Sequence, residues 1–322
     1  MSTNSIHMRY KLFAVLFIFL SLSSHAQAQT EAIRLADPTI FQEKGVYYLY
    51  GTGRPDGFAV YTSTDLVKWE RHKNNALLMG DSYGTKGFWA PQVFKHKGKY
   101  YMAYTANEHI AIAQSDSPLG PFKQSIIKPL SEEGKQIDPF IFKDKRDELY
   151  IYHVRLQNGN RIFVARLNED FTAMDESTAV ECLHAERGWE NTAKTNWPVS
   201  EGPTVIKMGK LYYLLYSAND FRNIDYAVGY ATSASPTGPW TKYSVNPILS
   251  RTNTGHNGSG HGDIFTAADG KLWYVFHTHN ANDKVHDRLS AIIRLSFSAG
   301  KPGVFSVVPD TFRYLKVEAL PQ

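Results

Sequence analysis

Three acidic residues of this chain stand in the same local setting at widely separated places. Asp37 opens "DPTIF", Asp138 opens "DPFIF", and Glu201 precedes "GPTVI". Each setting is a turn ending in proline, followed by a short apolar strand. Two other side chains share it: Trp89 precedes "APQVF" and His261 precedes "GDIF". Two carboxyls flanking one bond, one taking a proton and one giving it, are the usual equipment for splitting a glycosidic linkage with water. One of the pair must remain protonated near neutral pH, and a third carboxylate nearby raises that acid's pKa by like-charge repulsion. Plainer readings exist for each residue. Asp-Pro commonly opens turns, because the Asp side chain bonds nearby backbone and Pro fixes its own φ. Trp89 reads as core, and His261 as a loop histidine.

The elements that must position these residues are copies of one unit: a turn ending in Pro, an apolar strand, a charged-Gly turn, an aromatic strand. The copies are "DPTIFQEKGVYYLY" from Asp37, "APQVFKHKGKYYMAY" from Ala90, "DPFIFKDKRDELYIY" from Asp138, "GPTVIKMGKLYYLLY" from Gly202 and "GDIFTAADGKLWYVF" from Gly262. The third lacks the turn glycine, and in the fifth Asp263 replaces the proline. A second alternating segment follows each copy, such as "GFAVYTSTDLVKWE" and "NRIFVARLNEDFTAM". Alternation with β-branched and aromatic enrichment argues for strands, and Gly, Asp and Pro clusters argue for hairpins. Each unit therefore supplies about four antiparallel strands, and five such units read as an all-β, five-bladed β-propeller. Two unrelated β-sandwiches would not require five copies of one motif.

In a propeller the first strand of every blade lines the channel, so equivalent positions surround the axis. Immediately before the proline position stand Asp37, Ala90, Asp138, Gly202 and Gly262; one residue earlier stand Ala36, Trp89, Ile137, Glu201 and His261. A structural turn residue would be needed in all five blades, yet the acids occur in three. A ring of three carboxylates with no Lys or Arg is costly unless function demands it. Adjacent strand residues point opposite ways, so Glu201 shares a direction with the two Asp residues only if the strand starts irregularly.

Composition agrees. Tyr, Phe and Trp make up 13% of the 322 residues, which suits a β protein that stacks on sugars. The net charge of +4 comes without a run of Lys or Arg, so nucleic acid is not an expected partner. The single cysteine, Cys182, excludes an internal disulfide. Arg9 and Lys11 precede the apolar run Leu12 to Leu22 and then Ala26-x-Ala28, the layout of a secretory signal peptide over residues 1–28. That run is short of the roughly 20 residues of a membrane span. The expectation is an exported, monomeric catalytic propeller over residues 29–322.

"ADPTIF", "FWAPQVF", "QIDPFIF", "SEGPTVIKMGKLYYLLYSAND" and "GHGDIF" resemble, in order, the motifs of glycoside hydrolase family 43. The resemblance covers nearly the whole chain after the leader, and five motifs at blade spacing are specific where one is weak. It implies a five-bladed propeller with an inverting mechanism on arabinosides or xylosides. Asp37 would be the general base, Glu201 the general acid and Asp138 the modulator of the acid's pKa, with roughly 6.5–9.5 Å between base and acid. Trp89, with Phe88 beside it, would wall the sugar pocket. Arg288 matches an arginine that contacts substrate near the acid; the alternative is a cation at a surface strand edge. His261 matches a channel histidine that reaches a calcium or other ion through water, although the chemistry requires no cofactor. Family members carry Asp after "WAP" where this chain has Gln92, which implies altered hydrogen bonding there without loss of activity.

Asn196 and Trp197 lie just ahead of the proposed acid, and either shape its leaving-group side or pack the loop. "HTHNANDKVHD" brings His277, His279, His286 and Asp287 together, as a metal cluster or a polar loop. The activity expected is exo-acting α-L-arabinofuranosidase on plant polysaccharides or oligosaccharides, with β-xylosidase and endo-arabinanase as alternatives. A non-catalytic glycan-binding propeller is the reading of another class, but it has no use for an acid triad.

Overall fold

Five antiparallel sheets follow one another along the chain, each beginning at one of the repeated motifs. The computed structural model describes residues 30–318 apart from Arg187 and Lys301, so the proposed leader lies outside the described residues. The innermost strands are Ala36–Glu43, Trp89–His96, Gln136–Lys143, Ser200–Met208 and Gly260–Thr266. Each pairs with the aromatic strand that follows it. Neighbouring inner strands touch in cyclic order, and the fifth touches the first, which closes the propeller.

Blades three, four and five have the expected four strands, and the other two depart from it. The second has three, with only a bridge between Gln114 and Lys123 where a fourth would lie. The first has six, because Lys316–Glu318 pairs parallel with Lys68–Arg71 and antiparallel with Thr30–Ala32. The two ends of the described chain thus seal the first blade, and Ile33 N–H donates to the Leu315 carbonyl at 2.8 Å.

Packing between blades explains the aromatic content. The apolar clusters sit at the five blade interfaces rather than in one core. Tyr50, Phe58, Phe88 and Tyr104 fill the first interface; Ile112, Ile151 and Phe171 the second; Tyr152, Leu214 and Tyr216 the third. Tyr213, Tyr230 and Phe276 fill the fourth, and Leu49, Trp69 and Val275 the fifth. Wide rings suit wedge-shaped gaps between twisted sheets, each fully buried ring contributing about 1.5–3 kcal/mol.

All five inner strands start irregularly. The register with the aromatic strand slips between Ala36 and Thr39, Trp89 and Gln92, Ile137 and Phe140, Glu201 and Thr204, and Gly260 and Gly262. One residue in each slip is left-handed: Asp37 (φ 48°), Ala90 (44°), Asp138 (56°), Gly202 (58°) and His261 (42°). Such bulges re-aim side chains, and here they let Glu201 face the same mouth as the two Asp residues. The fifth blade corrects the sequence alignment by one position. His261, not Gly262, is equivalent to Asp37, Gly262 takes the proline's place, and Asp263 matches Thr39. With no proline to mark the place, the sequence pattern could not set that register.

The bulged residues are held by a ring of hydrogen bonds between blades. Each donates its backbone N–H to a side chain of the preceding blade: Ala90 to Thr52 Oγ1 (2.9 Å), Asp138 to Thr105 Oγ1 (3.0 Å), His261 to Ser217 Oγ (2.7 Å) and Asp37 to His277 Nδ1 (3.1 Å). These acceptors occupy one repeat position near the end of the aromatic strand. Blade three has Val154 there, which cannot accept, and the Asp138 carboxylate takes the Gly202 N–H instead at 3.1 Å. Strained backbone persists where its surroundings over-determine it, and this ring does so.

Candidate active site

Asp37, Asp138 and His261 meet at the channel mouth, all buried. His261 Nδ1 lies 3.4 Å from Asp37 Oδ1 and 3.8 Å from Asp138 Oδ2. Gly202 makes room for that imidazole: a Cβ there would stand 2.7 Å from the ring, and its φ of +58° favours glycine in any case. Burial holds His261 below the ordinary histidine pKa, so the ring is neutral near pH 7.

Asp37 is held as an anion. Burial pushes its pKa up, but Arg288 first, then His261, His277 and the Thr52 hydroxyl, push it down, and the balance lies well below the usual carboxylate range. Arg288 Nη1 reaches Asp37 Oδ1 at 3.2 Å, and Thr52 Oγ1 donates to Asp37 Oδ2 at 2.7 Å. This corrects two expectations. The ring does contain a cation, so the carboxylates are not left to repel one another unopposed. Arg288 is not a surface cation: it is largely buried beside Asp37 and His277, its guanidinium 4.4 Å from the centre of the Phe221 ring.

Glu201 is the opposite case. Burial raises its pKa and the negative charge of Asp37 adds to the rise, while hydrogen bonds from Tyr226 and Asn160 oppose it; the result is about 7. Tyr226 Oη donates to Oε1 at 2.8 Å and Asn160 Nδ2 to Oε2 at 2.9 Å. Asp138 is likewise pushed up, by burial and then by Glu201 and Asp37. One carboxylate is therefore held ionised beside a cation, while burial and neighbouring negative charge push the other two upward, Glu201 to about 7. That separation is what paired acid and base catalysis requires.

Of the remaining predicted residues, Trp89 is 38% exposed at the mouth and available to a sugar face. Phe88 is not: it is buried between blades one and two, stacked on Tyr104 at 6.1 Å. Trp197, 49% exposed, donates Nε1–H to Asn160 Oδ1 at 2.9 Å and so reaches Glu201 through one amide. Asn196 is exposed in the same loop, and among the described residues no hydrogen bond joins it to the acid. Gln92 clasps the next blade, its Oε1 accepting from Ile141 N–H at 2.6 Å and its Nε2 donating to the Ile141 carbonyl at 3.3 Å. An amide can do both; an ionised Asp could not donate.

Two site residues, Asn160 and Tyr226, escaped the sequence reading, and two others, His277 and Asp263, take roles it did not give them. His277 is not part of a polar loop but fully buried, stacked on Tyr226 at 5.6 Å with rings 14° apart. Asp263 ties blades together across the channel floor, accepting from Thr39 Oγ1 at 2.8 Å and Thr204 Oγ1 at 2.6 Å. Gly260 offered a signal for Tyr226, since a Cβ there would meet that ring at 2.5 Å. As for an ion, no three His, Cys, Asp or Glu side chains among the described residues converge as ligands. His261 Nδ1 faces the Asp37 and Asp138 carboxylates.

A closed ring of five blades, with one buried carboxyl held anionic beside an arginine and another raised to about 7 at one mouth, fits a propeller glycoside hydrolase. The sequence profile of glycosyl hydrolases family 43 matches residues 31–302, and the chain belongs to that family. A crystal structure described as an endo-1,4-β-xylanase from Bacteroides thetaiotaomicron superposes with a TM-score of 0.84 at 39% identity, covering 90% of this chain and 99% of that one. A β-D-galactofuranosidase of Aspergillus niger is 25% identical, covering 82% of this chain and 79% of its own length. An extracellular exo-α-(1→5)-L-arabinofuranosidase of Streptomyces avermitilis is 24% identical over 80% of this chain, which spans only 57% of that protein.

Proposed function

We propose that this glycosidase removes terminal α-L-arabinofuranosyl groups from plant polysaccharides or their fragments, with inversion. Asp37 accepts a proton from water as its oxygen attacks the anomeric carbon. Glu201 gives its proton to the departing glycosidic oxygen as the C–O bond breaks. Asp138, through its charge coupling to Glu201 and its grip on Gly202 N–H, holds the acid in place. Arg288 keeps Asp37 ionised, and Trp89 offers an apolar face to the sugar. The observation that carries this reading is the opposed ionisation of Asp37 and Glu201. A bare glycan-binding propeller gains nothing from holding one carboxyl charged and another neutral in the same pocket.

The choice of sugar rests on the arabinofuranosidase relative, and export is supported by that protein's extracellular description and by the leader-like residues 1–28. A second reading, hydrolysis of β-xylosides, is favoured by the 39% identical structure described as a xylanase. Assays on nitrophenyl α-L-arabinofuranoside and β-D-xyloside, with arabino- and xylo-oligosaccharides, separate the two. The expected result is preference for the arabinofuranoside with release of single sugars, lost in Asp37→Asn. Preference for xylosides would overturn the sugar assignment, and equal behaviour of wild type, Asp37→Asn and Glu201→Gln on every glycoside would overturn the enzymatic one.

A further inference from the structure

We propose that Asn160 is a positioning residue that couples a leaving-group platform, Trp197, to the general acid. The inference rests on the assignment of Glu201 as that acid. Asn160 begins the third strand of blade three and is buried, with all of its polar groups committed. Its backbone N–H donates to the Pro198 carbonyl at 2.9 Å, pinning it to the loop that carries Trp197. Its side-chain oxygen accepts from Trp197 Nε1 and its amide nitrogen donates to Glu201 Oε2, both at 2.9 Å.

The direction of this relay follows from donor chemistry. An indole N–H can only donate, so it holds the amide oxygen toward Trp197 and turns the NH₂ toward the acid. Glu201 Oε2 is thereby kept as an acceptor, and Tyr226 does the same for Oε1. Without the indole donor the amide is free to turn and present its oxygen to the acid.

Trp197 also forms one wall of a cleft of about 520 Å³, together with Val199, Ile224, Asn223 and Arg222. Trp197 and Ile224 are 49% and 43% exposed, an apolar surface of the kind that receives a sugar face. The negative charge of Asp220, another residue of the cleft, raises the Glu201 pKa, so the cleft lies within electrostatic reach of the acid. A general acid protonates the oxygen of the leaving group, so the leaving sugar belongs on the acid's side, on Trp197. The residue that seats the leaving sugar and the residue that protonates it are then joined by one amide.

The test uses two substrates with the same glycosyl group, one leaving as a sugar and the other as nitrophenolate. The second leaves without much help from an acid, so it is insensitive to acid positioning. Glu201→Ala is measured first and should lose activity on the oligosaccharide far more than on the nitrophenyl glycoside. Failure of that pattern overturns the acid assignment and the coupling with it. Asn160→Ala and Trp197→Phe, the latter keeping a flat apolar face without the N–H, should each lower kcat/KM about 10- to 100-fold on the oligosaccharide and under about threefold on the nitrophenyl glycoside. Both should also move the alkaline limb of the pH profile upward, because a donor to the carboxylate has been lost. Equal losses on both substrates, or no loss on either, with Glu201→Ala behaving as an acid variant, would overturn the coupling alone. Trp197 is exposed, so its variant preserves the test should Asn160→Ala fold poorly.

Discussion

Tyr226→Phe is the sharpest probe of how the site tunes its acid. The hydroxyl donates to Glu201 Oε1 at 2.8 Å, and phenylalanine removes that donor while keeping the ring that stacks on His277. A hydrogen bond to a buried carboxylate favours its ionised form by about 1.5–3 kcal/mol. At about 1.4 kcal/mol per pKa unit, the Glu201 pKa should rise by about 1–2 units. The starting value is about 7. A higher pKa keeps the acid protonated further into the alkaline range, so the alkaline limb of kcat/KM should move up by the same interval. At pH 8.5 the protonated fraction would increase about 8- to 25-fold, offset in part by the weaker acid's slower proton transfer. The assay is kcat/KM from pH 4 to pH 10 on an oligosaccharide, with circular dichroism at each pH to follow folding. An alkaline limb that stays in place, or moves down, would refute the claim that Tyr226 restrains the acid.

Other perturbations follow from the same geometry. Asp37→Asn should abolish activity and also destabilise the fold by about 2–4 kcal/mol, because it strips a largely buried Arg288 of its anion; thermal unfolding would show it, and an unchanged midpoint would restore the view that acid–acid repulsion governs this position. Arg288→Met should let the Asp37 pKa climb toward the ordinary carboxylate range, shifting the acid limb of kcat/KM upward, which a profile from pH 3 to pH 6 detects. Glu201 gains its proton more readily folded than unfolded, so its contribution to stability is full below about pH 4.5 and is lost as pH rises through about 7. Urea unfolding of Glu201→Gln, which stays neutral, should therefore match wild type at pH 4.5 and exceed it by about 2–3 kcal/mol at pH 8.5. Thr105→Val removes the acceptor for Asp138 N–H and should cost about 1–2 kcal/mol in the same measurement, with the alkaline limb shifted as Asp138 moves.

Much of this architecture was legible because a propeller repeats itself. The apolar strand, the tight turn and the aromatic strand recur five times, and Asp37, Asp138 and Glu201 stand out as departures from the repeat rather than as motifs of their own. What lies outside the repeat was hidden. The sealing strand Lys316–Glu318 is only three residues long and pairs across the whole chain, and the second blade's fourth strand has shrunk to a bridge. In blade five, without a proline, the register slipped by one. The residues that set the ionisation states come from other elements: Arg288 lies 251 residues from Asp37 and Asn160 lies 41 from Glu201. Their approach depends on how blades rotate against one another, which no local pattern encodes. Phe88 and Trp89 are adjacent and both aromatic, yet one is core and the other lines the mouth, because neighbours at an irregular strand start face different ways.

The central claim is that Asp37 activates water while Glu201 protonates the leaving oxygen in a single displacement. Proton NMR of the first sugar released, recorded before the anomers equilibrate, tests it directly. Inversion predicts that the first signal belongs to the anomer opposite to that of the substrate bond, with no glycosyl-enzyme accumulating. A first product that keeps the substrate's configuration would require a covalent intermediate and would contradict the roles assigned to both carboxyls.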